Sequence, residues 1–227
     1  VMNHLADHEV DITIFYAEAE IYEPTKAKFQ RKKKETNEPD ETPAFLTEGI
    51  YDIAISRSLS SPVKSNQPMV AIAFPGFNHR IMMALTNEFS PHMIISINGV
   101  PRLDRDKWRK NSVRWINRNV KSYLEVREEE VSTFLYAECI ELLEKIYGEY
   151  ATDHRIVLAP TGSKLQTVAA SIFQRSHSDI QVVYPVVKDF NPSSYSKGWK
   201  DPWGISFGNL DEIVTEFSDK NDDRIER

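Results

Sequence analysis

An α/β fold, with a mainly parallel sheet covered by helices on both faces, is what this 227-residue sequence predicts. Three observations carry that expectation. Short β-branched runs recur along the chain, amphipathic segments of helical period separate most of them, and Gly- or Pro-containing turns mark where several runs end. The central runs read as continuous apolar stretches, as strands buried on both faces do.

The first run, Ile12–Tyr16, follows "VMNHLADHEV", which reads as the tail of a helix and predicts a strand upstream of Val1. Tyr51–Ile55, Val70–Phe74, Met93–Ile97, Arg155–Leu158 and Ile180–Tyr184 are the other predicted strands. Asn78–Glu88 reads as a helix with Asn78 as its N-cap. Arg105–Asn117 reads as the next, with Trp108 and Trp115 seven apart and near one face, and Tyr123 on the strand that follows. The longest predicted helix is Glu129–Tyr150, marking a sub-boundary near 128–152 before a compact C-terminal βαβ unit. Ser163–Gln174 is the last. Residues 24–45, highly charged and nearly free of aliphatics, read as a charged surface loop or an exposed helix. "SSPVKSNQP" reads as a second surface loop and 218–227 as a frayed, solvated tail. All of it reads as a single domain over 1–227.

The net charge of −6 argues against general nucleic-acid binding and against an anionic membrane surface. No apolar run approaches the roughly 18 to 20 residues of a membrane span. The single cysteine, Cys139, cannot form an intrachain disulfide and lies among apolar neighbours; a cytoplasmic setting and a buried thiol are expected. The six histidines, His4, His8, His79, His92, His154 and His177, show no metal-ligand spacing, so no metal is expected. The sequence names no cofactor.

The stretch that bears most on function is "VLAPTGSKLQTVAASIF", Val157 to Phe173. An apolar strand runs through Thr161, Gly162, Ser163 and Lys164 into an amphipathic helix. Glycine lets the backbone approach a ligand closely, and a helix start directs amides and the positive dipole end at the same point. Ser163 can cap the helix or meet an anion, and Lys164 can neutralise charge. The turn is neither a G-x-x-x-x-G-K-[ST] loop nor a G-x-G-x-x-G fingerprint. Two readings stay open: a phosphate cradle, or a well-capped corner between strand and helix.

Strand, "PTGSK" and amphipathic helix, in that order, resemble the CRISPR-associated Rossmann-fold (CARF) domains and related prokaryotic defence proteins. Those carry a Thr-Gly-Gly-Thr-Lys-type turn at a helix start and bind cyclic oligonucleotides, usually as dimers. With the lysines aligned, Gly162, Ser163 and Lys164 match the glycine, hydroxyl and lysine. Thr161 replaces the first glycine of the pair. The resemblance implies a Rossmann-like version of the fold, a nucleotide ligand at this turn and two-fold pairing. Aromatic residues point to a homodimer too: Trp108, Trp115, Tyr123 and the loop Tyr195–Trp203 together exceed what one monomer is expected to cover.

Other strand ends repeat the pattern. "AIAFPGFNHRIMMAL" places Gly76, Asn78, His79 and Arg80 after a strand, with Arg80 suited to a phosphate or carboxylate. Arg102 follows another strand, and Glu18 stands beyond the first. The loop Tyr184–Phe207 offers Tyr195, Ser196, Lys197 and Trp199 as a stacking face and phosphate donors, or as anchors to the core. The expected ligand-binding set is therefore Thr161, Gly162, Ser163, Lys164, Gly76, Asn78, Arg80, Tyr195 and Lys197. The leading expectation is a sensor or regulatory module for a phosphorylated or nucleotide ligand, within prokaryotic defence. The alternatives are an enzyme acting on a nucleotide or phosphodiester, with Glu18 or Tyr195 handling protons, and a protein–protein scaffold. No catalytic residue is assigned.

Overall fold

The structure, a computed structural model, describes residues 11–36, 38, 47–60, 66–120, 124–190 and 195–209. The predicted N-terminal helix tail, Tyr123 and the tail 218–227 lie outside them.

The chain order is β1 (Asp11–Ala17), β2 (Ile21–Tyr22), α1 (Lys26–Thr36), β3 (Thr47–Ser60), β4 (Met69–Ala73), α2 (His79–Phe89), β5 (Met93–Val100), α3 (Trp108–Ile116), β6 (Glu125–Ser132), α4 (Tyr136–Tyr150), β7 (Arg155–Ala159), α5 (Lys164–Ser176), β8 (Gln181–Phe190), β9 (Ser196–Lys197) and β10 (Pro202–Asn209). Six strands form the main sheet in the order β3-β8-β7-β4-β5-β6. β4 to β8 run parallel and β3 pairs antiparallel with β8 at one edge. This is the Rossmann-like arrangement, with one half of the sheet built outward from β4 and the other from β7.

Alternation along the central strands gives the sheet two apolar faces. Val70, Ile72, Ile95, Ile97, Ile156 and Leu158 face a cluster that takes in Ile140 and Leu143 of α4 and Ala169 and Phe173 of α5. Ala73, Ile94, Val157 and Ala159 face the other side, against Met82 and Leu85 of α2. Cys139 is fully buried in the first cluster, and burial pushes its thiol up to about 12. β1 and β10 pair antiparallel outside the main sheet, with Ile12, Ile14, Ile205 and Phe207 packed on the α4–α5 face. Among the described residues, no helix is long and apolar enough to cross a membrane.

Three local expectations are corrected. The helix predicted from Glu129 begins at Tyr136, because "EVREEEVS" is an edge strand. Its glutamates suggest a helix, yet in β6 they alternate as a strand requires. Glu128 and Glu130 meet Arg114 and Lys110 of α3, while Arg127 bonds Glu129 and Glu149 of α4. Charge along an edge strand also deters pairing with another chain. β4 lies between β5 and β7 in the main sheet. Within the charged segment 24–45, which the sequence leaves open between a surface loop and an exposed helix, Lys26–Thr36 is helical, and Phe29 anchors it with its ring 5.7 Å from Phe77 and 6.0 Å from Trp115. Tyr184–Phe207, expected as a loop, holds the end of β8 together with β9 and most of β10. Finally, Trp108 and Trp115 are half-buried in the Phe29–Phe77–Ile116 cluster, which removes them from the argument for an interface.

The charged edge makes a prediction about acid. Hydrogen bonding from Lys110 lowers Glu130, and hydrogen bonding from Arg127 lowers Glu149, both below the ordinary 4.5. A carboxyl depressed in the fold contributes stability above its unfolded value, and that stability is lost as pH falls through its folded value. Urea-unfolding stability is therefore expected to decline from about pH 4.5 downward, with a shallower decline in Glu149→Gln. An identical acid limb in that variant would contradict the assignment.

Candidate functional site

Strand order fixes where a site can form before any side chain is considered. β4 and β7 are parallel neighbours, but the chain leaves β4 toward β5 and leaves β7 toward β8. The helices that follow, α2 and α5, pack on opposite faces. The turns after the two strands therefore diverge and leave a crevice at their carboxyl ends. Two adjoining hollows of about 280 and 320 Å³ occupy it. Both are lined by Pro101, Arg109, Thr133, Gly162, Ser163 and Tyr195.

The turn at Thr161–Lys164 is first of all a well-made corner. Ser163 Oγ accepts from the Gln166 amide at 3.2 Å, and Gln166 Oε1 accepts from the Ser163 amide at 2.8 Å, a complete capping box. Ser163 Oγ also donates to the Thr133 carbonyl at 2.7 Å, and Thr161 Oγ1 donates to the Phe74 carbonyl at 2.7 Å. Gly162 is required by this packing: a Cβ there would sit 2.9 Å from Phe74 Cβ and collide with Gln166 Oε1. The hydroxyls and two amides of the turn, those of Thr161 and Ser163, are thus already engaged. Among the described residues, the amides of Gly162, Lys164 and Leu165 have no acceptor, as the first positions of a helix leave them.

Charge in the second hollow is unevenly matched. Arg102 pairs with buried Glu18 at 2.6 Å and lies between the rings of Phe134 and Trp203, whose indole N–H reaches the same carboxylate. Arg109 has no carboxylate partner among the described residues. Its guanidinium donates to three successive carbonyls, of Tyr22, Glu23 and Pro24, at 2.9 to 3.3 Å, and lies over Phe77 at 4.6 Å. Burial pulls its pKa down, yet a guanidinium stays charged. Lys164 has no ion pair among the described residues, and its ammonium stands 5.8 Å from the Tyr16 ring centre. The Tyr16 hydroxyl bonds that of Tyr22 at 3.1 Å, and burial, chiefly, raises it far above the tyrosine range.

Of the nine residues the sequence singles out, seven line the cleft: Gly76, Asn78, Thr161, Gly162, Ser163, Lys164 and Tyr195. Asn78 is buried and caps α2 by accepting from the Arg80 amide. Arg80 and Lys197 are exposed and belong to neither wall, since α2 and β9 turn them away from the strand ends. Glu18, Arg102 and Ser196 are in the second hollow; Trp199 is 74% exposed and outside it. Sequence reasoning missed Arg109, Gln166 and Asn98. Gln166 had a readable signal, the S-x-x-Q spacing from Ser163. Arg109, one position along a helix from Trp108, had none.

No protein-family model matches this sequence, and no curated protein matches it. Among solved structures it is similar to Can2 from Sulfobacillus thermosulfidooxidans in complex with cyclic tetra-adenylate (cA4), at 16% identity and a TM-score of 0.37. That match covers 59% of this chain and 37% of the Can2 chain. This chain therefore matches well under two thirds of Can2's length.

The two glycines of the cleft should respond differently to a methyl group. Gly162→Ala, forced against Phe74 and Gln166, is expected to lose about 1 to 3 kcal/mol. Gly76→Ala, with nothing within 4 Å of its added Cβ, should stay within about 0.5 kcal/mol of wild type in the same urea titration. Equal losses at both positions would refute this account of the turn.

Proposed function

We propose that the chain is a sensor or regulatory module that binds a phosphorylated or nucleotide ligand in the strand-end cleft, in the setting of prokaryotic defence. The observation that carries this is the charge left over in the cleft. Among the described residues, Lys164 and Arg109 are cations without carboxylate partners there, and the open amides of Gly162, Lys164 and Leu165 lie at the same helix start. Fixed amides, a helix dipole and a point charge are together a favourable place for an anion. The defence setting, and cyclic oligonucleotides as one ligand class, follow from the CARF resemblance of the "PTGSK" turn alone. Two-fold pairing and a reducing cytoplasm belong to the same reading; the first now leans on exposed Tyr195, Trp199 and Trp203, the second on the lone Cys139.

Binding is favoured over turnover by the state of the groups that could move protons. Glu18 is committed to Arg102 and Trp203, and Tyr16 is raised out of the useful range. No histidine or cysteine lines either hollow among the described residues.

Calorimetric titration with mono-, di- and cyclic oligonucleotides tests the reading. Binding is expected for at least one class, weakened by about 1 to 3 kcal/mol in Lys164→Ala and unchanged in Arg80→Ala. Heat from none of them at high micromolar concentration, or equal losses in both variants, would sink it.

A further inference from the structure

Three carboxylates stand in the wall of the second hollow, and two of them are matched elsewhere. Glu23 gives Oε1 to Lys28 at 2.7 Å and Oε2 to the Thr25 amide at 3.2 Å. Asp106, only partly buried, lies 3.6 Å from Arg105. Glu18 differs. Its side chain is 9% exposed, and both partners of that side chain fall on one oxygen. Oε2 accepts from Arg102 at 2.6 Å and from the Trp203 indole at 3.4 Å. Oε1 has no hydrogen-bond partner among the described residues, yet it is not one of the polar atoms that burial closes to solvent. An open, unpartnered oxygen on a residue of the hollow's wall faces the hollow. At about 320 Å³, that space is far larger than a single water needs.

Such an oxygen sorts ligands. A wall of cations and amides alone would suit a bare phosphate. A carboxylate turned into the same space repels a second anion and favours a group that donates, a hydroxyl or an N–H. The ion pair with Arg102 holds the carboxylate in place and leaves the lone pairs of Oε1 free. Tyr16, Tyr22, Phe134 and Tyr195 give the hollow aromatic faces as well.

We infer that Glu18 determines specificity in this cleft: its open Oε1 accepts a hydrogen bond from a hydroxyl or N–H of the ligand, which is therefore an organic phosphate carrying such a donor. The inference rests on reading the cleft as a site for a phosphorylated ligand, and it adds what the rest of that ligand must bring. Sugar hydroxyls and base amino groups share this chemistry.

Wild type and Glu18→Gln are titrated at mildly alkaline pH with AMP, with ribose 5-phosphate and with phenyl phosphate, a dianion that has a ring but neither hydroxyl nor N–H. In the variant, Arg102 and Trp203 keep the amide oxygen on their side, so the amide nitrogen takes the place of Oε1. Removing a carboxylate strengthens every phosphate alike, so the readout is the affinity ratio between a donor-bearing ligand and phenyl phosphate. That ratio is expected to fall about tenfold. Where phenyl phosphate binds neither protein, the affinity of AMP itself is read. A fall for ribose 5-phosphate as well as AMP assigns the donor to the sugar, and a fall for AMP alone assigns it to the base. Glu18→Leu combined with Arg102→Leu, which removes the pair together, reads the same fall if the glutamine variant does not fold. An unchanged ratio for both donor-bearing ligands in a folded variant overturns the role of Glu18 alone. Binding of phenyl phosphate with neither AMP nor ribose 5-phosphate also overturns it, and leaves the anion reading standing. Silence from every probe overturns both.

Discussion

Ser163 and Gln166 tie together the ends of strands that have no hydrogen-bond ladder in common. Through the capping box they start α5; through Ser163 Oγ and Gln166 Nε2 they hold the carbonyls of Thr133 and Ser132, where β6 ends. Thr161 adds a bond to Phe74, just past β4. The crevice between β4 and β7 keeps its shape because the polar groups of its rim are answered by one another. Gly162 lets that packing close, so the turn is a structural corner whatever else it does.

A corner whose hydroxyls are already engaged can still favour an anion. In the proposed reading, the remainder would meet the anion: three helix-start amides, the Lys164 ammonium and the Arg109 guanidinium. Arg109 has a second role, since its grip on the carbonyls of Tyr22, Glu23 and Pro24 fixes the segment that roofs the second hollow. Its charge and its structural bonds are compatible because carbonyl acceptors satisfy donors without cancelling charge. Arg102 differs in kind. The Glu18 carboxylate at 2.6 Å cancels it, so it shapes the hollow and adds little to its potential.

Much of this was readable from residues taken in order. The apolar runs around Val70, Ile95 and Leu158 announce strands buried on both faces, and Asn78 and Ser163 announce the helix starts that they cap. The turns at Gly76 and Gly162 were legible as cleft walls because a parallel sheet places its strand ends on one side. The misreadings share a physical cause. "EVREEEVS" has the composition of a helix, and only the cations of α3 on one side and the Glu149 carboxylate of α4, meeting Arg127, on the other make it a strand. Arg80 looked like a site residue by its distance along the chain from Gly76, but the helix it joins carries it away from the cleft. Arg109 came into view only with tertiary structure, because the carbonyls it grips and the hollow it lines are brought to it from far along the chain.

Backbone amide resonances, followed by NMR while AMP is added to the wild-type protein, test the central claim most directly. If the strand-end cleft is the anion site, the largest shifts fall on the amides of Gly162, Lys164 and Leu165, and those of Arg80 and Lys197 stay in place. Shifts that leave residues 162–165 untouched and gather instead on the basic helix Lys26–Thr36 would contradict it.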